Sequence, residues 1–292
     1  MTAVVERPAP IVEVPALAPR RAAVAWVALG LSVLSLWSVA FALLLSSTQE
    51  HSAQSRLYAT FREQLAGGTA PLGPVAPGRP VALVASARLH LSAVVVEGTA
   101  GRDLATGPGH RRDTVLPGQA GVSVLFGRAS TYGGPLADLA TLRPGDELTA
   151  TTAQGVFRYR VEGLRRNGDP LPIPVTGAAS RLTLESLEGD GWRSGWAAQH
   201  PLFVDALLLG KSAAPVARVA GLPAAEAFGG HDSSGLVVLV AWLQGLVLVV
   251  AGTVWGATRW GLWQSWLVGV PAILAVLWGA AGAALPLLPN VL

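Results

Sequence analysis

Two apolar runs late in the chain, Leu236–Trp255 and Leu262–Leu285, contain no charged residue, and a short loop carrying Arg259 joins them. Each is long enough to cross a bilayer as a helix, which satisfies its own backbone hydrogen bonds inside hydrocarbon. The spacing predicts a transmembrane hairpin rather than two soluble core helices. A third apolar run, Ala22–Leu45, follows Arg20 and Arg21. It is too long for the hydrophobic part of a typical signal peptide, and it shows no clear small-residue cleavage site. By the positive-inside rule, the N-terminus and the Arg259 loop face the cytoplasm, and the segment between the first and second spans faces outward. Hydrophobic residues make up 51% of the chain and charged residues 13%, a balance too apolar for an ordinary soluble protein.

The rest of the chain is ordered around these spans. Residues 1–21, with Pro8, Pro10, Pro15 and Pro19, read as a disordered cytoplasmic tail. Residues 46–80 read as a stalk helix, with Leu57, Tyr58, Phe61 and Leu65 on one face, followed by a Pro/Gly linker. Residues 81–210 carry short apolar runs punctuated by Gly, Pro, Asp and Asn, as in a compact β-sandwich or barrel. The predicted strands are Val81–Val84, Ser92–Val96, Val122–Phe126, Glu147–Thr152, Val156–Leu164, Leu182–Ser186 and Leu202–Leu209. Residues 211–235 read as a second linker. In the hairpin, Gly252 with Gly256 and Gly279 with Ala283 are spaced to let helices approach closely.

Several function classes drop out. The net charge is only +3 and the arginines form no basic stripe, so nucleic acid is not an expected partner. The chain has no cysteine, which excludes disulfides, thiolate metal sites and a cysteine nucleophile. No His, Asp and Glu cluster has ligand spacing, and neither a metal nor another cofactor is expected.

Four stretches, in order, carry a resemblance. They are Val94-Val95-Val96-Glu97-Gly98-Thr99; Gly107-Pro108-Gly109-His110 with Leu116-Pro117-Gly118-Gln119; Thr131-Tyr132-Gly133-Gly134-Pro135 with Leu142-Arg143-Pro144-Gly145-Asp146; and Gly155–Val161. Residues 81–210 thereby resemble the sortase family, most closely its actinobacterial housekeeping (class E) type. The resemblance implies a closed β-barrel ectodomain, so the expected architecture is mainly β, with one N-terminal and two C-terminal transmembrane helices. It also implies a chemistry. In sortases a cysteine thiolate attacks a Thr–Gly bond of a sorting signal, a histidine protonates the leaving amine, and an arginine stabilises the oxyanion.

This sequence departs from the pattern at all three positions. Where the family has Gly-His-Arg, the chain reads Gly127-Arg128-Ala129. Where the cysteine follows a Thr-Leu-x-Thr strand, it reads Thr183-Leu184-Glu185-Ser186-Leu187. The arginine position matches Pro201, with Arg193 or His200 nearby. Ser186 adjoins the nucleophile position, but alternate strand residues face opposite ways, which turns its hydroxyl from the cleft. His110 lies in a loop that borders the cleft in relatives and reads as a structural or substrate-contacting residue. Tyr132 and Glu185 complete the candidate cleft. Arg128 reads as a solvated loop arginine, with capture of a carboxylate or carbonyl as the alternative. Glu185 reads as a surface carboxylate, with a pairing to Arg128 as the alternative.

The expectation is thus a membrane-anchored, catalytically inactive sortase-like protein that binds a peptide segment of an exported protein, or a true sortase. The alternative is a divergent transpeptidase or hydrolase using Ser186 with His110 or His200. In a third reading the C-terminal hairpin is the active part and the β domain its extracellular sensor.

Overall fold

The computed structural model describes residues 30, 32–189, 200–231, 233–284 and 287–291. The predicted tail, residues 22–29 and 31 of the predicted first span, and Arg193 lie outside them. The chain divides into two units, Met1–Ser38 and Val39–Leu292. In the first, residues 32–38 are helical. The rest concerns the second unit.

Its centre is a closed barrel of eight strands: β1 (Pro80–Ser86), β2 (Leu91–Glu97), β3 (Gly109–His110), β4 (Gly121–Phe126), β5 (Glu147–Thr152), β6 (Gly155–Arg166), β7 (Ser180–Glu188) and β8 (His200–Leu208). Around the barrel the order is β1-β2-β3-β4-β7-β8-β6-β5, and β5 closes on β1. Most neighbours are antiparallel; β2 with β3 and β4 with β7 are parallel. Residues of period two fill the interior, including Leu182 and Leu184 of β7 and Leu202, Val204 and Ala206 of β8.

The Val94-Val95-Val96 run is apolar on both faces because both are covered. Val95 points into the barrel core. Val94 packs outward against Phe61 of helix α1 (Ser46–Ala66), with Leu57 and Leu65 beside it. The Gln54 side chain then ties helix to strand, donating to Val94 O at 3.0 Å and accepting from Val94 N at 2.7 Å. Gly118 is required by contact. A Cβ there would stand 2.2 Å from the Phe157 ring, and its φ of +93° is itself unfavourable to other residues.

A four-residue helix α2 (Gly101–Leu104) follows β2. Beyond the barrel, α3 (Leu236–Arg259) and α4 (Leu262–Ala284) pair as a hairpin. Both are long and apolar enough to cross a membrane, with mean hydropathy 2.3 and 2.0. They approach closely at small residues: a Cβ on Gly279 would meet the Trp242 ring at 2.4 Å, and one on Gly269 would meet Thr253 at 2.3 Å. Gly256 faces Ser265 in the same way, whereas Gly252 faces open space.

Candidate functional site

Strands β4, β7 and β8 run side by side, and their residues alternate between the barrel interior and the outer face. On β7, Leu182, Leu184 and Ser186 share the inner parity, while Thr183, Glu185 and Leu187 share the outer. Leu187 stands opposite Pro201 in the β7–β8 ladder, and Glu185 stands opposite Phe203 and abreast of Phe126. Leu187 packs against an outer apolar cluster built from Leu104, Val124, Phe126 and Val291. The surroundings of Leu187 are therefore apolar.

Ser186 is fully buried, and its hydroxyl donates to Gly127 O at 2.9 Å. No imidazole activates it. His110 is likewise buried and engaged at both ring nitrogens, with Nδ1 2.9 Å from Glu97 Oε2 and Nε2 2.9 Å from Val115 O. The Thr114 hydroxyl lies 3.2 Å from Nε2. A ring held between a carboxylate and a carbonyl braces β2 against the loop after β3. His200 begins β8 at the exposed end of the ladder, opposite Glu188.

Arg128 departs from its expected place in solvent. The parallel β4–β7 register pairs Phe126 with Glu185, and the Gly127 N–H donates to Glu185 O at 3.0 Å. Continued two residues, this register sets the Arg128 backbone abreast of Leu187. Its side chain is 0% exposed. The guanidinium donates to Thr131 Oγ1 at 2.9 Å and Gly101 O at 2.8 Å, and lies 5.0 Å from the centre of the Tyr132 ring. Burial pushes its pKa down to about 10, so it remains a cation at neutral pH. Tyr132, at φ +52°, is buried with it, and its N–H donates to Ser46 Oγ at 2.9 Å. The hydroxyl of Ser46 in turn donates to Ala42 O. Gly127 precedes Arg128 because Leu136 packs where a Cβ would be, at 2.4 Å.

Glu185 also departs from expectation. It is 8% exposed, between the outer-face rings of Phe126 and Phe203 along the sheet. Desolvation raises its carboxyl pKa to about 7 against the pull of Arg111 and Arg165. Those two arginines, rather than Arg128, are its cationic neighbours. Arg111 is held by Asp113 at 2.8 Å and Arg165 by Asp205 at 2.8 Å.

Sequence reasoning missed the cover. In the stretch read as a linker, Ala224–Glu226 forms a 3-10 turn that docks on the barrel. Thr99 Oγ1 donates to Glu226 O at 2.6 Å, and Arg112 Nη1 donates to Glu226 Oε1 at 2.9 Å. The ring of Phe228 then meets Phe126 at 5.6 Å and Phe203 at 5.9 Å between centroids. Asn290 and Val291 lie over the adjoining face, 0% and 1% exposed. The one available signal was a lone polar residue, Asn290, beyond the last apolar span.

A sortase-domain family model matches residues 86–181. Solved structures to which the chain is similar include a sortase D5 transpeptidase of Clostridium perfringens, at 20% identity over 55% of this chain and 99% of that one, with a TM-score of 0.46. Sortase E of Streptomyces avermitilis is similar at 29% identity over 52% and 99%, with a TM-score of 0.37. The SrtF sortase of Corynebacterium diphtheriae is similar at 20% identity over 53% and 96%, with a TM-score of 0.40. No curated protein matches the chain.

Proposed function

We propose that this chain, whose residues 86–181 match a sortase-domain family model, holds a peptide segment of an exported protein at the outer face of the membrane and performs no acyl transfer. The observation that carries this reading is the facing pair Leu187 and Pro201, in a chain without any cysteine. Neither residue can attack a carbonyl or donate a hydrogen bond to an oxyanion. The fold alone does not supply the chemistry.

What survives is a face suited to recognition. The half-buried Phe203 and Leu187 offer apolar contact, and Arg111 and Arg165 lie beside it. The Arg20-Arg21 pair before the first span and Arg259 between α3 and α4 support an outward-facing barrel. Two crossings after the barrel return the chain to the barrel's side, in keeping with the contact between the barrel and residues 290–291.

The rival reading, acyl transfer through Ser186, is weakened by the hydrogen bond from its Oγ to Gly127 O inside the barrel. The test is capture. A photo-crosslinking residue in place of Phe203, in native membranes, should trap segments of exported proteins that the same residue in place of Val156, exposed at the opposite end of β6 from the Arg165 that pairs with Phe203, does not. Identical yields at both positions would refute the reading.

A further inference from the structure

Resting on that peptide-binding reading, we propose that the cleft already has an occupant in cis. Residues Leu287–Val291 act as a resident peptide ligand, and an incoming segment has to displace them. The site selects a carboxamide followed by a branched aliphatic residue.

Asn290 is held as a ligand is held. Its side-chain Nδ2 donates to Thr99 O at 2.6 Å and to Ala227 O at 2.9 Å, and its backbone N–H donates to Gly230 O at 2.9 Å. A pocket lined by carbonyl oxygens accepts an amide and repels a carboxylate. One residue on, the Ala129 N–H donates to Val291 O at 3.2 Å. The Val291 side chain fills the apolar cluster with Leu104, Val124 and Phe126, against which Leu187 and Phe228 pack. One residue therefore supplies donors, to Thr99 O of the barrel and to Ala227 O and Gly230 O of the cover, and the next supplies apolar bulk against the barrel face.

Thr99 joins the parts. Its hydroxyl holds the Glu226 turn and its carbonyl holds Asn290. Losing the segment removes one of the supports of the turn that carries Phe228. The tether is short, since α4 ends at Ala284, so the segment competes at the high effective concentration of a linked ligand. A free peptide meets a cleft that is open only a small fraction of the time, and its apparent affinity falls by that fraction.

The test uses the full chain in lipid nanodiscs and a fluorescent, C-terminally amidated peptide, Leu-Leu-Pro-Asn-Val. Asn290→Ala should raise the peptide's apparent affinity at least tenfold over the unsubstituted protein, the scale of one lost buried hydrogen bond to a carbonyl. The peptide Leu-Leu-Pro-Ala-Val should bind neither protein. Val291→Gly, which removes only the apolar half, should act in the same direction and covers the case in which Asn290→Ala folds poorly. Equal affinity for the unsubstituted protein and both variants overturns the occupant in cis while leaving the cleft a peptide site. No binding to either variant overturns both.

Discussion

Leu187 and Pro201 face each other across the β7–β8 ladder, on the outer parity of both strands. Where the resemblance to sortases implies a thiol and a guanidinium, the pair has no polar side-chain atom. Around Leu187 lie Val124, Phe126 and Val291, which exclude water without offering a cation. A thiol at this half-buried position beside apolar side chains is partly desolvated, which raises its pKa. Leu187→Cys, the sole thiol in the chain, should alkylate at neutral pH at least about tenfold more slowly than an exposed cysteine. Iodoacetamide kinetics followed by mass spectrometry measure this. A rate equal to or faster than that of an exposed thiol would contradict this account of the position.

Arg128 carries a structural load. Its planar fork reaches Thr131 Oγ1 and Gly101 O while the Tyr132 ring covers its face. A lysine keeps the charge but not the fork. Arg128→Lys should lower stability by about 2 kcal/mol, read from denaturant or thermal unfolding in detergent. A neutral result would place the guanidinium in solvent, as its loop position suggested.

Glu185 gives a pH dependence with a definite sign. Its pKa is about 7 in the folded protein against an ordinary value of 4.5, so the folded state binds its proton more tightly. The associated stability is fully present below pH 4.5 and is lost as the pH rises through 7. The loss is on the order of 3 kcal/mol. Glu50, whose pKa burial also raises to about 7, contributes with the same sign. The difference between the wild-type protein and Glu185→Gln isolates the first. Melting temperatures from pH 5 to pH 8 should fall less in the variant, and parallel curves would contradict the assignment.

How far the sequence could be read follows from where each interaction comes from. The seven predicted strands lie within observed ones or within a residue of them, because alternating apolar residues and turn punctuation are local signals. Strand β3 was missed since Gly109 and His110 show no periodicity; they become a strand only between β2 and β4. The order of strands was likewise invisible, as pairings such as β4 with β7 join distant residues. The Ser186 argument worked because strand parity is a property of the backbone alone. Arg128 and Glu185 were misread as exposed because their cover comes from elsewhere, α2 and Tyr132 for one and the neighbouring strands for the other. Asn290 was missed for the same reason, its partner Thr99 being 191 residues away.

The most direct measurement of the central claim is turnover. Full-length protein in nanodiscs is incubated with a fluorogenic sorting-signal peptide and an amine acceptor. Because Ser186 Oγ is spent on Gly127 O and both His110 nitrogens are engaged, the account predicts no cleavage or transfer above the blank. Product that forms with the unsubstituted protein and vanishes in Ser186→Ala would contradict it.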